Sequence, residues 1–149
     1  MKSYLIIRRA HAIAGAIGFV VILTFWTSTV WAELFGTHEM IAAVKQNILW
    51  GMVILVPAMA AVGGSGFRLM GKGRDPLILA KKRRMMIIGP NGILILVPAA
   101  FYLNSLASQG LFGFSFYAVQ TIELVAGAVN LTLMGLNMRD GLRASGRNA

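Results

Sequence analysis

The chain has 149 residues, of which 57% are hydrophobic, with mean hydropathy +0.71 and formal net charge +9 at pH 7. That combination excludes an ordinary soluble domain and predicts an all-α integral membrane protein, a single domain over residues 1–149 built as a four-helix antiparallel bundle. With no cysteine, disulfides, thiolate metal sites and c-type haem attachment are also excluded.

Four stretches are long and apolar enough to cross a bilayer, which takes about 20 helical residues each: roughly 12–34, 41–64, 85–107 and 115–137. The first follows Lys2, Arg8 and Arg9, and its apolar part exceeds the roughly 7 to 15 residues of a signal-peptide core, so it is read as a retained span. Thr37 is a natural N-cap for the second, with Glu39 in the favourable first turn, and the tight connection makes the first two spans a hairpin.

The second span frays into Gly63, Gly64, Ser65, Gly66, Gly71 and Gly73 within a basic connection over residues 65–84. There Asp75 caps a helix that starts at Pro76, Lys81 to Arg84 lie among headgroups, and Gly89-Pro90 bends or restarts the helix on entry. Another short connection, with Gly110 and Gly113, leads to the fourth span. The pentapeptide Ile54-Leu55-Val56-Pro57-Ala58 recurs as Ile95-Leu96-Val97-Pro98-Ala99, and both prolines read as mid-membrane kinks.

Every basic residue except Lys45 falls before the first span, between the second and third, or after the fourth. Both termini are therefore expected in the cytoplasm, as in a bacterial inner membrane protein. The positive charge sits where topology and anionic lipid headgroups place it, so membrane lipids rather than nucleic acid are the expected partners. A chain this small and apolar is also expected to work as a homo-oligomer or within a larger membrane complex. No Walker loop, zinc-binding His/Glu motif or Ser/His/Asp grouping is present, which argues against a hydrolytic or nucleotide-driven enzyme.

The fourth span carries Gln120, Glu123, Gly127, Asn130, Met134 and Asn137 along one side of a helix among lipid-like neighbours, so that side must face protein. At the outer depth Glu33, His38, Lys45, Asn104, Gln120 and Glu123 gather. Lys45 and Glu123 overlap in depth, and either charge alone would cost about 2.5 to 3.5 kcal/mol there. Two readings follow: Glu123 serves as a proton or cation site of a small proton-coupled transporter, or Lys45, Glu123, Gln120 and Asn104 form a structural polar lock. Trp26, Trp31, Trp50, Tyr102 and Tyr117 read as an interfacial aromatic belt.

At the inner depth His11, Gly15 and Gly18 follow i, i+4, i+7 spacing, with Met134, Asn137 and Met138 at the end of the fourth span. Glycines one and two turns from an imidazole leave room for a porphyrin, and a thioether or second imidazole can supply the other axial ligand. The same glycines equally fit close approach of two helices. His11 and His38 are about 40 Å apart along helix at 1.5 Å per residue, so bis-histidine ligation needs two copies and a His/Met site needs Met134 or Met138.

Arg8-Arg9-Ala10-His11, followed by Gly15, Gly18 and a Thr/Trp-rich end, resembles the first helix of small bacterial four-helix b-type cytochromes. The resemblance covers one helix in four and implies haem b, with His11 as its metal ligand, and transmembrane or quinol-linked electron transfer. The chain departs from that family in having no second histidine within reach. A cofactor-free accessory or assembly subunit, docking through its glycine faces, is the main rival reading.

Overall fold

The computed structural model describes residues 2–69 and 76–146, with side chains through Arg143. Within those residues the chain is helical almost throughout: α1 (Lys2–Phe35), α2 (His38–Leu69), α3 (Pro76–Asn91), a π-helical turn (Gly92–Leu96), α4 (Val97–Ser108) and α5 (Phe114–Gly146). The segment Pro76–Ser108 acts as one span, so four helical spans are long and apolar enough to cross a membrane. Asp75, Gly71 and Gly73, read above as a cap and a fraying run, lie outside the described residues.

Burial is inverted relative to a water-soluble bundle. Lys45, Gln120, Asn130, Asp140 and Thr29 are buried, while Ile54, Ile93, Leu94, Phe101 and Val125 are exposed. That distribution suits hydrocarbon around the bundle, where helices must satisfy polar groups among themselves.

Short connections set the topology. Gly36 donates to the Ala32 carbonyl at 2.8 Å to end α1, and the Thr37 hydroxyl then accepts the Met40 amide at 3.4 Å, which makes it the cap of α2. A side chain at position 36 would meet the Ala32 carbonyl oxygen at 2.5 Å, so this turn needs glycine. At the far connection Leu111 donates to Leu106 and Gly110 to Ala107, each at 3.0 Å, with Gly110 at φ +70°. This is a Schellman closure, in which glycine takes the left-handed position.

Each span packs on its predecessor, and α5 returns to α1 to close the ring. The contacts of His11 with Ser65, Gly18 with Met59 and Phe25 with Gly51 pair α1 antiparallel with α2. Three apolar clusters fill the interior from the short-loop end to the end bearing the termini: Ala32 with Leu103 and Phe116, then Ile48 with Met52 and Ala100, then Ile22 with Ile88 and Met134.

The third span is irregular just before Pro98 and not at Gly89-Pro90. α3 runs unbroken through Gly89 and Pro90, and the irregularity falls at residues 92–96, where Val97 donates to the Gly92 carbonyl. Pro98 follows immediately; it has no amide hydrogen to offer and its ring crowds the preceding turn, so a widened turn relieves it. The matching pentapeptide in α2 keeps α geometry through Pro57.

Candidate functional site

A cavity of about 250 Å³ lies between the spans. Ile22, Trp26 and Thr29 face it from α1, and Ile48, Met52, Leu55 and Met59 from α2, both sets at helical three- and four-residue steps. Gly92, Leu96 and Ala100 close the third side, and Glu123, Gly127 and Asn130 the fourth. Because α2 packs along α4 but only grazes α3, the wall is incomplete there. Val56 and Ile93, both exposed, flank a mouth that opens sideways between spans.

Trp26 belongs to this interior rather than to an interfacial belt. Its indole N–H donates to the Leu124 carbonyl at 2.9 Å, and a Cβ at Gly127 would stand 3.0 Å from the ring. Glycine at that point of the α5 stripe is what admits the indole. The stripe itself is oriented as its spacing requires: Gln120, Gly127, Asn130 and Met134 are buried, and Glu123 and Asn137 half-buried.

A charged cap sits at the short-loop end of the cavity. Lys45 Nζ lies 2.5 Å from Glu123 Oε2, with the lysine 1% exposed, and Gln120 Nε2 donates to the same oxygen at 3.1 Å. Glu33 adds a second carboxylate from α1, one helical turn beyond the last α1 residue that lines the cavity, Thr29, and interacts electrostatically with Lys45, Glu123 and His38. Two acceptors in this cap, Glu33 Oε1 and Gln120 Oε1, are buried and find no donor among the described residues. Asn104 is half-buried on α4 and makes no side-chain hydrogen bond among the described residues, so the lock proper is Lys45, Glu123 and Gln120. His38 stacks on Phe112 with ring centroids 4.1 Å apart.

Nearer the termini two polar groupings tie α3 to α5. Asn91 donates to Asn130 Oδ1 at 2.8 Å and to the Ala126 carbonyl at 2.9 Å, while Asn130 donates to the Ile88 carbonyl at 3.4 Å. Below them Arg84 turns inward from the basic run and reaches Asp140 at 2.7 Å and Asn137 at 3.2 Å, and Arg139 reaches Asp140 at 3.3 Å. Asp140, buried three residues past Asn137, extends the α5 stripe by one more turn.

His11 is the haem ligand that the cytochrome resemblance implies. Its Nδ1 lies 2.8 Å from Ser65 Oγ, and the Ser65 hydroxyl donates to the Ala61 carbonyl. A side chain at Gly18 would meet Met59 Sδ at 3.0 Å and Met134 Cε at 3.6 Å, and one at Gly15 would meet Val62 at 3.9 Å. Helix α2 and Met134 thus fill the space that a porphyrin plane needs beside α1, and Met138 is exposed at the far end of α5. These residues fit close helix packing and do not fit haem within one chain. Among the described residues no three His, Cys, Asp or Glu side chains are placed to share a metal ion.

No protein-family model, curated protein or solved structure matches this chain.

Proposed function

We propose that this chain is a small proton-coupled membrane carrier, in which an apolar guest occupies the central cavity and Glu123 links its passage to a proton. One observation carries the reading: among the described residues Glu123 is the one ionisable side chain on the cavity wall, whose other residues are apolar or small except Thr29 and Asn130. A carboxylate in low dielectric interacts strongly with whatever charge enters beside it. Lys45 supplies a fixed counter-charge that keeps the carboxylate tolerable inside the bundle. The sideways mouth supplies an entrance from the hydrocarbon.

The test is reconstitution of the purified chain into liposomes holding a trapped pH-sensitive dye, followed by addition of neutral and charged lipophilic compounds in turn. Guest-dependent proton movement is expected for the parent chain, with loss of at least about tenfold in rate for Glu123→Gln, equivalent to about 1.4 kcal/mol in barrier. Parent liposomes that move no protons with any compound refute the reading.

A further inference from the structure

The charge count of the cap identifies the guest more closely. Lys45 carries one positive charge, Glu123 and Glu33 one negative charge each when ionised, and the Lys45 ammonium is already paired with Glu123. The second carboxylate then leaves a buried oxygen with no donor, and Gln120 presents another buried acceptor oxygen beside the same pair. A buried acceptor or charge left in this state is costly. A neutral apolar guest would leave the charge of an ionised Glu33 uncompensated. An anion would add to the surplus and find no second cation among the described residues of the cap. A divalent cation would overshoot the deficit by a full charge.

Resting on the carrier reading above, we infer that the guest is a lipophilic monovalent cation drawn to Glu123 on the cavity wall, and that the proton Glu123 couples to its passage is held and released by the neighbouring Glu33 carboxyl, one proton per cation, while Glu123 stays paired with Lys45. In the empty site the proton sits on the Glu33 carboxyl, so the three groups sum to no net charge and the new O–H is a donor within the cap. When the cation enters, its charge lies against the cap and its apolar body lies in the cavity. Glu33 then releases its proton to water at the short-loop end, and the site is neutral again. Glu33 is half-buried rather than sealed, which leaves that proton a way out. The groups facing Glu33 are Lys45 and His38 from α2 and Glu123 from α5; α4 carries no charged residue.

The experiment uses the full chain in detergent and two probes of equal shape and opposite charge, tetraphenylphosphonium and tetraphenylborate. Calorimetric titration in two buffers of different ionisation heat counts protons released on binding. The phosphonium is expected to bind saturably and release close to one proton per ion at the acid end of the range, with affinity rising as pH rises; the borate is expected not to bind saturably. Glu33→Gln should weaken phosphonium binding at least about tenfold and abolish the release, and Glu33→Asp should retain it. In a Trp31→Phe/Trp50→Phe background, the remaining Trp26 emission should shift on binding, because its ring lines the cavity.

Equal binding of the borate, no saturable phosphonium binding, binding without proton release at any pH, an unaffected Glu33→Gln variant, or an unmoved Trp26 signal would each overturn the inference. The two readings fail separately. Liposomes that move protons with neutral guests alone would sink the cation and keep the carrier, whereas phosphonium binding with proton release but no flux would do the reverse.

Discussion

At the short-loop end one buried ammonium is paired with one carboxylate and feels a second, Glu33, only electrostatically, whereas at the end bearing the termini one buried carboxylate is shared between two guanidinium groups. The two clusters are near mirror images in composition, yet their surplus charges meet different surroundings. Arg139 is 52% exposed, so the surplus at the terminal end reaches the surface and needs no partner. The surplus at the other end arises when Glu33 is ionised, and that side chain has a buried oxygen with no donor among the described residues. An ion cluster with an exposed surplus fastens helices together, while one with a buried surplus needs a further positive charge. By that difference Arg84 and Asp140 fasten α3 to α5, while the proposed exchange uses the Glu33, Lys45 and Glu123 cap.

The contrast can be broken at its strongest point first. Lys45→Met leaves two carboxylates without their cation and should cost about 3 to 5 kcal/mol, the usual consequence of removing one member of a buried pair. Reversible unfolding in mixed detergent micelles measures it. Lys45→Met/Glu123→Gln should recover at least half of that loss, since the pair is removed as a unit; a double variant as unstable as the single would show that the lysine acts through something other than charge.

Second in size is a comparison of two glycines, each three residues before one copy of the repeated pentapeptide. A side chain at Gly51 would overlap Phe25, with ring carbon Cε1 2.6 Å from the new Cβ, while at Gly92 the nearest atom is Asn130 Nδ2 at 3.8 Å. Gly51→Ala should therefore cost about 1 to 3 kcal/mol through overpacking. Gly92→Ala should be near neutral or slightly stabilising, and equal unfolding midpoints for the two would contradict the assigned packing.

Asn130→Ala should come next, at about 0.6 to 1.7 kcal/mol, the range of hydrogen bonds between membrane helices. It removes the partner of Asn91 in the middle of the α3–α5 contact. The smallest expected effect belongs to Asp140→Asn: a modest drop in unfolding midpoint at low salt that fades as salt screens the exposed arginine. A large, salt-independent drop would mean that the terminal cluster is shielded from water as fully as the cap.

Much of this architecture is legible in the chain because it rests on local pattern. Apolar length gives the spans, Thr37 gives the start of α2, and three-and-four spacing gives the buried side of α5. The Lys45–Glu123 pair follows from matched depth and opposite charge. What depends on how helices rotate against one another is not legible, because helices apolar on nearly every side do not announce which side they bury. Trp26, Ser65 and Glu33 each turn on that rotation. The π turn shows the same limit within a single span: identical pentapeptides follow Gly51 and Gly92, yet one is α-helical and the other is widened where Asn91 and Asn130 bind α3 to α5. The haem expectation at His11 rests on glycine spacing and on a one-helix resemblance, and the same spacing serves helix contact, which is what Val62, Met59 and Met134 make of it.

The sideways mouth between Val56 and Ile93 has a practical consequence. A guest that enters there arrives by partitioning into lipid first and diffusing in two dimensions, so the concentration governing occupancy is that in the bilayer rather than in water. Apparent affinity should then weaken in proportion as lipid is added at fixed protein and total guest, and compounds of equal intrinsic fit should rank by their lipid–water distribution.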